Sequence, residues 1–231
     1  MELQSVLLLG FLLGVKHAFD ADHIVAISTI VGRTQRISET IRIGVLWGLG
    51  HMASLGLVGL AVLGLHLNIA GRTATFLEFL VACALIALGI SSVWAYLRRN
   101  FHFHRHTHDE GAHFHLHQHA RKVQSGHVHR DDTASHRHRH KSIALGVVHG
   151  LAGSAALMLL ALTAADTFYG GLLYILCFSL GAVLGMAALG FLIGLPFLVS
   201  AGRFSRVNGF LNVAAGLGSV GLGFFLMIGL L

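Results

Sequence analysis

The chain has 231 residues, 55% of them hydrophobic and only 11% charged, with a formal net charge of +6. A soluble domain carries about 25% charged residues, so this composition excludes one and points to an all-α polytopic membrane protein. The basic excess does not read as a nucleic-acid surface, because it sits in loops between apolar runs, where it reports topology. Cys83 and Cys177 lie inside separate apolar runs and form no Cys-x-x-Cys pair. That leaves a thiolate site for a soft metal unsupported and reads both as buried small hydrophobes.

Six apolar runs predict six transmembrane helices, at 3–31, 43–66, 76–97, 143–164, 172–200 and 209–231. The first is preceded by Glu2 and no basic residue, and His and Asp interrupt it, so it does not read as a signal peptide. At about 1.5 Å per residue it would reach about 43 Å, against a hydrocarbon core of about 30 Å. It must therefore tilt, kink or break. Within it stands Lys16-His17-Ala18-Phe19-Asp20-Ala21-Asp22-His23-Ile24. Each ionisable residue at membrane depth costs about 2.5–3.5 kcal/mol on insertion scales and is retained where it pairs, lines a water-filled cavity or holds an ion. His and Asp together are a ligand set for a borderline divalent metal. On one unbroken helix His17, Asp20, His23 and Lys16 share a face of about 120°, with Asp22 nearly opposite. Either Asp22 faces another helix or the backbone is irregular there, which is tolerated where it lines a cavity. Lys16 and Asp20, four apart, are placed to pair.

The second run contributes His51, after Gly48-Leu49-Gly50, and the fourth contributes His149, after Gly146-Val147-Val148. Each is a further candidate ligand. Glycines recur four apart at Gly10/Gly14, Gly44/Gly48, Gly146/Gly150, Gly181/Gly185 and Gly190/Gly194, a spacing that lets membrane helices approach closely. Gly14-Val15-Lys16-His17 matches Gly146-Val147-Val148-His149, and Leu49-Gly50 matches Leu180-Gly181. Three spans on each side of a linker then run in opposite directions, as two inverted three-helix repeats with a substrate site near the midplane.

That linker, 98–142, joins a first half, 1–97, to a second, 143–231. Thirteen of the chain's 18 histidines fall between His102 and His140, most alternating with one other residue. With no apolar face to bury it is expected to be disordered, and its imidazoles suit loose binding of transition-metal ions. Of the 16 Lys and Arg, 14 lie in the loop after span 1, in this linker and in the loop after span 5. The positive-inside rule puts those three loops in the cytoplasm and both termini outside, in a plasma (inner) membrane.

Lys16–Ile24 closely resembles the RHAxDADHI signature of the nickel/cobalt transporter (NiCoT/NicO) family, with its HxxxxDH core at His17, Asp22 and His23. Gly50-His51 is similar to the motif of that family's next helix, and Gly185-Met186 to its later GM motif. The departures are Lys16 for Arg, Met52 for Ser, Gly190 for an Asp after the GM motif, and no LGxDTATE-like segment. Six spans rather than eight resemble the shorter, UreH-like branch. The resemblance implies Ni2+ or Co2+ as the transported ion, with no resident cofactor. It also implies cytoplasmic nickel-handling or urease-maturation proteins as partners.

The expected function is secondary transport of nickel or cobalt, most simply uptake, through a midplane site of His17, Asp20, Asp22, His23, His51 and His149. No GxxxxGK[ST] phosphate-binding loop occurs. Export of the same ions, or a membrane metal buffer or sensor without transport, are the alternatives. An enzyme is not expected, since no nucleophile or substrate cleft accompanies the ligands.

Overall fold

In lipid, each backbone polar group must be satisfied internally, and a helix does this within one segment. The computed structural model describes residues 3–32, 34, 36–65, 71–108, 111–118, 142–151 and 167–230, and its apolar runs are helical. Helices α1 (Leu3–His17) and α2 (Ala21–Val31) share the first run. Then come α3 (Ile37–Leu65) and α4 (Arg72–Asn100). Helix α5 (Ser142–Leu151) begins the fourth run, and α6 (Phe168–Arg203) and α7 (Ser205–Gly229) follow. Helices α3, α4, α6 and α7 are each long and apolar enough to cross a membrane, and α1 with α2 passes as a pair bent by 52°. The chain is a multi-pass membrane protein, with four or five such spans among the described residues. The expected 143–164 span is described only to Leu151.

The first run resolves its excess length by breaking. The amide of Ala18 still reaches Gly14 O, but those of Phe19 and Asp20 turn to Lys16 O and His17 O three residues back. Asp20 is extended, with φ −66° and ψ 151°, and its carbonyl accepts from Ile24 N as the next helix begins. Asp favours such a boundary because its short polar side chain competes with helical backbone bonding.

Several predicted boundaries are too short. Helix α3 starts at Ile37 rather than 43, and α6 extends beyond 172–200 at both ends. Hydropathy marks the apolar stretch, whereas segments such as Ser38-Glu39-Thr40-Ile41-Arg42 remain helical outside it. Pro196 lies inside α6 without ending it. Of the expected 98–142 linker only the start and Ser142 are described. Residues 98–100 complete α4, and β1 (Phe101–His108) pairs antiparallel with β2 (Gly111–Gln118). Alternation with a period of two is the period of a strand, a signal that low complexity masked. Residues 119–141 lie outside the described residues.

Helix α6 packs along both α3 and α1, α4 packs along α7, and α2 rests on α7, α6 and α4. Glycines set how closely these helices approach. A Cβ on Gly14 would collide with the Phe178 carbonyl, and one on Gly181 with the Phe11 carbonyl, which fixes α1 on α6. A Cβ on Gly146 would collide with the Trp47 carbonyl, and one on Gly50 with the Ile143 carbonyl, which fixes α5 on α3. The two contacts match residue for residue. Adding 132 to the α1 positions and 131 to the α3 positions gives the α5 and α6 positions.

Candidate metal centre

Three helical segments each bring one imidazole to a common point. His17 is the last residue of α1, His23 lies in the first turn of α2, and His51 lies midway along α3. The break at Ala18–Asp20 is what lets the first two converge. Ring centroids are 4.9 Å apart for His17 and His23, 5.1 Å for His17 and His51, and 5.5 Å for His23 and His51. One nitrogen from each lies within 4.8 Å of the others. Imidazoles bind zinc-like ions at about 2.0–2.1 Å, which places neighbouring donors roughly 3 Å apart. Small side-chain rotations therefore bring these three onto one ion. His149 of α5 stands beside them, its ring 5.4 Å from that of His23. His23, His51 and His149 are at most 3% exposed.

The carboxylates hold the rings from behind. His17 Nδ1 donates to Asp20 Oδ2 at 2.7 Å, and His23 Nδ1 to Asp22 Oδ1 at 3.1 Å, an oxygen that also accepts from His23 N at 2.9 Å. His149 Nδ1 donates to Leu145 O at 3.1 Å. A carbonyl can only accept, so the His149 proton is on Nδ1 and the Nε2 lone pair is free. Nε2 of His17, His23 and His149 and both nitrogens of His51 are buried without a partner among the described residues. Unpartnered buried polar atoms are costly and require a reason. Converging imidazole lone pairs, with acceptors on Nδ1 as His17, His23 and His149 have here, are the usual anatomy of a metal site.

Residues 3–204 match a family model described as "NicO: High-affinity nickel-transport protein". The chain belongs to the NicO family. It is 35% identical over 223 residues to "Urease accessory protein UreH" of Bacillus sp. (strain TB-90), covering 95% of this chain and 90% of that one. It is 24% identical over 225 residues to "Chloroplast protein FOR GROWTH AND FERTILITY 2" of Arabidopsis thaliana, covering 95% of this chain and 55% of that protein. No solved structure matches.

In this NicO chain the six expected site residues are adjacent but not equivalent. His17, His23 and His51 form the converging group, and Asp20, Asp22 and His149 stand around it. The break leaves the His23 amide free in the first turn of α2, and Asp22 accepts from it and from the His23 ring. Asp20 pairs with His17 rather than with Lys16, whose side chain is exposed. Two neighbours escaped the sequence reading. Trp47 is fully buried, its ring 5.0 Å from His149 and 6.3 Å from His23, and its indole N–H has no partner among the described residues. Phe178 lies 5.6 Å from His17. The position of Trp47 four residues before His51, hence on the same helix face, was the available signal. The Gly185-Met186 pair buttresses the break. Gly185 closes on Ala18 and Val15, and Met186 is fully buried in the same cluster as Ala18 and Ile27.

Proposed function

We propose that this chain is a secondary transporter that carries Ni2+, with Co2+ as an alternative substrate, into the cell through the His17–His23–His51 cluster. The observation that carries the reading is the convergence of buried, unpartnered imidazole nitrogens from three helical segments within 4.8 Å. Imidazole suits borderline divalent ions. The family description and the name of the Bacillus relative agree with nickel as the substrate and with urease maturation as its destination.

In this mechanism the ion exchanges part of its water shell for His17, His23 and His51. Asp20 and Asp22 keep the Nδ1 protons in place and offset the ion's charge, and His149 offers a fourth imidazole from α5. Two inverted repeats, 1–97 and 143–231, rock about the site to expose it alternately. The matching glycine contacts of α1 with α6 and of α5 with α3 support that symmetry. The loop charges favour external termini and a cytoplasmic 98–142 linker. The repeats are chemically unequal. The positions matched to His51, Asp20 and Asp22 are Ala182, Ala152 and Ser154, so one repeat carries most of the ligands.

The test is 63Ni2+ flux in proteoliposomes of defined orientation. Inward flux that is lost in His23→Ala, with the variant still reconstituted, is the expected result. Flux only in the opposite direction would establish export, and binding without flux would establish a buffer.

A further inference from the structure

The match between the repeats extends from the glycines to the rings beside the metal centre. Gly146 closes on the Trp47 carbonyl and Gly14 on the Phe178 carbonyl, which makes Trp47 and Phe178 equivalent positions. The same offsets make His149 equivalent to His17. The side chains repeat the pairing. The Trp47 ring lies 5.0 Å from that of His149 at 59°, and the Phe178 ring 5.6 Å from that of His17 at 42°. Both aromatic rings are buried. An aromatic ring against an imidazole of the site is thus present in both repeats, whereas most of the ligands are present in one. The two rings also lie at different depths. Gly44 closes on Met186, Gly48 on Val183 and Gly190 on Thr40, so α3 and α6 run antiparallel. That register sets Phe178 close to the level of Met52. From Trp47 to Met52 is about 7 Å along the helix axis, and His51 falls between. Trp47 therefore bounds the site toward the Ile37 end of α3, and Phe178 toward the Leu65 end.

We propose that Trp47 and Phe178 are the two gates of the site, each closing one side of the histidine cluster by resting on its imidazole, with one withdrawn at a time. This rests on the transport reading, to which it adds the moving parts. A ring resting on an imidazole makes no directional bond, so it withdraws without breaking a hydrogen bond. The Trp47 indole N–H, which has no partner among the described residues, gains one when the ring meets water. Both supporting imidazoles also stand beside His23, that of His149 at 5.4 Å and that of His17 at 4.9 Å. An ion that draws either imidazole inward shifts the surface on which its gate rests, so occupancy of the site is felt at the gates. Two equivalent gates at opposite ends of one site are what alternating access by inverted repeats requires.

The experiment reads access to the site from each side of the membrane, in vesicles of known orientation. The full-length chain carries Cys83→Ala, Cys177→Ala and His51→Cys, so its one thiol sits among the site histidines, and the probe is a charged, membrane-impermeant methanethiosulfonate. With both rings in place, labelling should be slow from either side. Phe178→Ala should speed it by on the order of 10-fold or more from the Leu65 side alone, and Trp47→Ala by as much from the Ile37 side alone, because truncating a buried ring favours the open form. A general loosening of the packing would instead speed labelling from both sides in both variants. Should an alanine variant fail to fold, Trp47→Leu and Phe178→Leu keep apolar bulk and should show the same sidedness with a smaller rise. The double exchange Trp47→Phe with Phe178→Trp keeps a ring at each gate and should label slowly from both sides. Acceleration without sidedness, acceleration from the wrong side, or no change in any variant would each overturn the proposal. Labelling needs neither nickel nor flux. Wild-type nickel flux with unsided labelling would refute the gates and leave transport standing, and sided labelling without flux would do the reverse.

Discussion

Replacing Asp22 by Asn separates two roles for that carboxylate. As placed, Asp22 Oδ1 accepts from His23 Nδ1 at 3.1 Å and from His23 N at 2.9 Å. Asn keeps an oxygen there and loses the charge. Hydrogen bonds to charged groups contribute about 1.5–3 kcal/mol, and neutral ones about 0.5–1.5 kcal/mol. The 3.1 Å contact is long for a charge-assisted bond, so the lower end applies and the loss is about 1 kcal/mol. That corresponds to roughly a fivefold rise in the nickel concentration giving half-maximal 63Ni2+ uptake. Asp22→Ala removes the acceptor altogether and frees the ring, and the expected loss grows to about 10–100-fold. The assay is initial uptake rate against nickel concentration, normalised to reconstituted protein, with His23→Ala as the inactive reference. If Asp22→Asn were as inactive as His23→Ala, Asp22 would be a direct ligand and the positioning argument would fail. If Asp22→Ala matched wild type, the carboxylate would have no role at the site.

Three further outcomes follow from the packing. Gly14→Ala and Gly146→Ala should destabilise the protein by comparable amounts, about 1–3 kcal/mol each, read as a lower melting temperature in detergent. Gly56→Ala, where a Cβ meets nothing within 4 Å, should leave it unchanged. Trp47→Ala opens a void beside His149 and His23 and should cost about 3–5 kcal/mol, whereas Trp47→Phe, which removes only an unpartnered indole N–H along with part of the ring, should cost far less by the same measurement. His149→Ala should raise the half-maximal nickel concentration while leaving measurable uptake, because His149 flanks the converging trio rather than belonging to it.

Much of the site was legible in the chain because membrane insertion is intolerant of charge. His17, Asp20, Asp22 and His23 stand out against Leu, Val and Gly, and the need to shorten a 29-residue run foretold a tilt, kink or break. The polar stretch itself was a natural place for that break, but the turn at which it falls was not legible. It depends on Asp20 adopting an extended backbone while its carboxylate engages His17, a local competition that helical periodicity does not encode. The helix projection left open whether Asp22 faced another helix or sat at an irregular backbone, and the backbone is irregular just before it; Asp20, placed to pair with Lys16, pairs with His17. Trp47 was hidden because an aromatic in an apolar run reads as core until its neighbour across the helix interface is known.

The central claim is that three imidazoles from α1, α2 and α3 hold the transported ion. Nickel-edge X-ray absorption tests it most directly, on full-length chain loaded with one equivalent of Ni2+ and with the thirteen histidines between His102 and His140 replaced by Gln. The account predicts imidazole scattering from at least three rings, falling by one in each of His17→Ala, His23→Ala and His51→Ala. A nickel shell without imidazole, or one unchanged in all three variants, would contradict it.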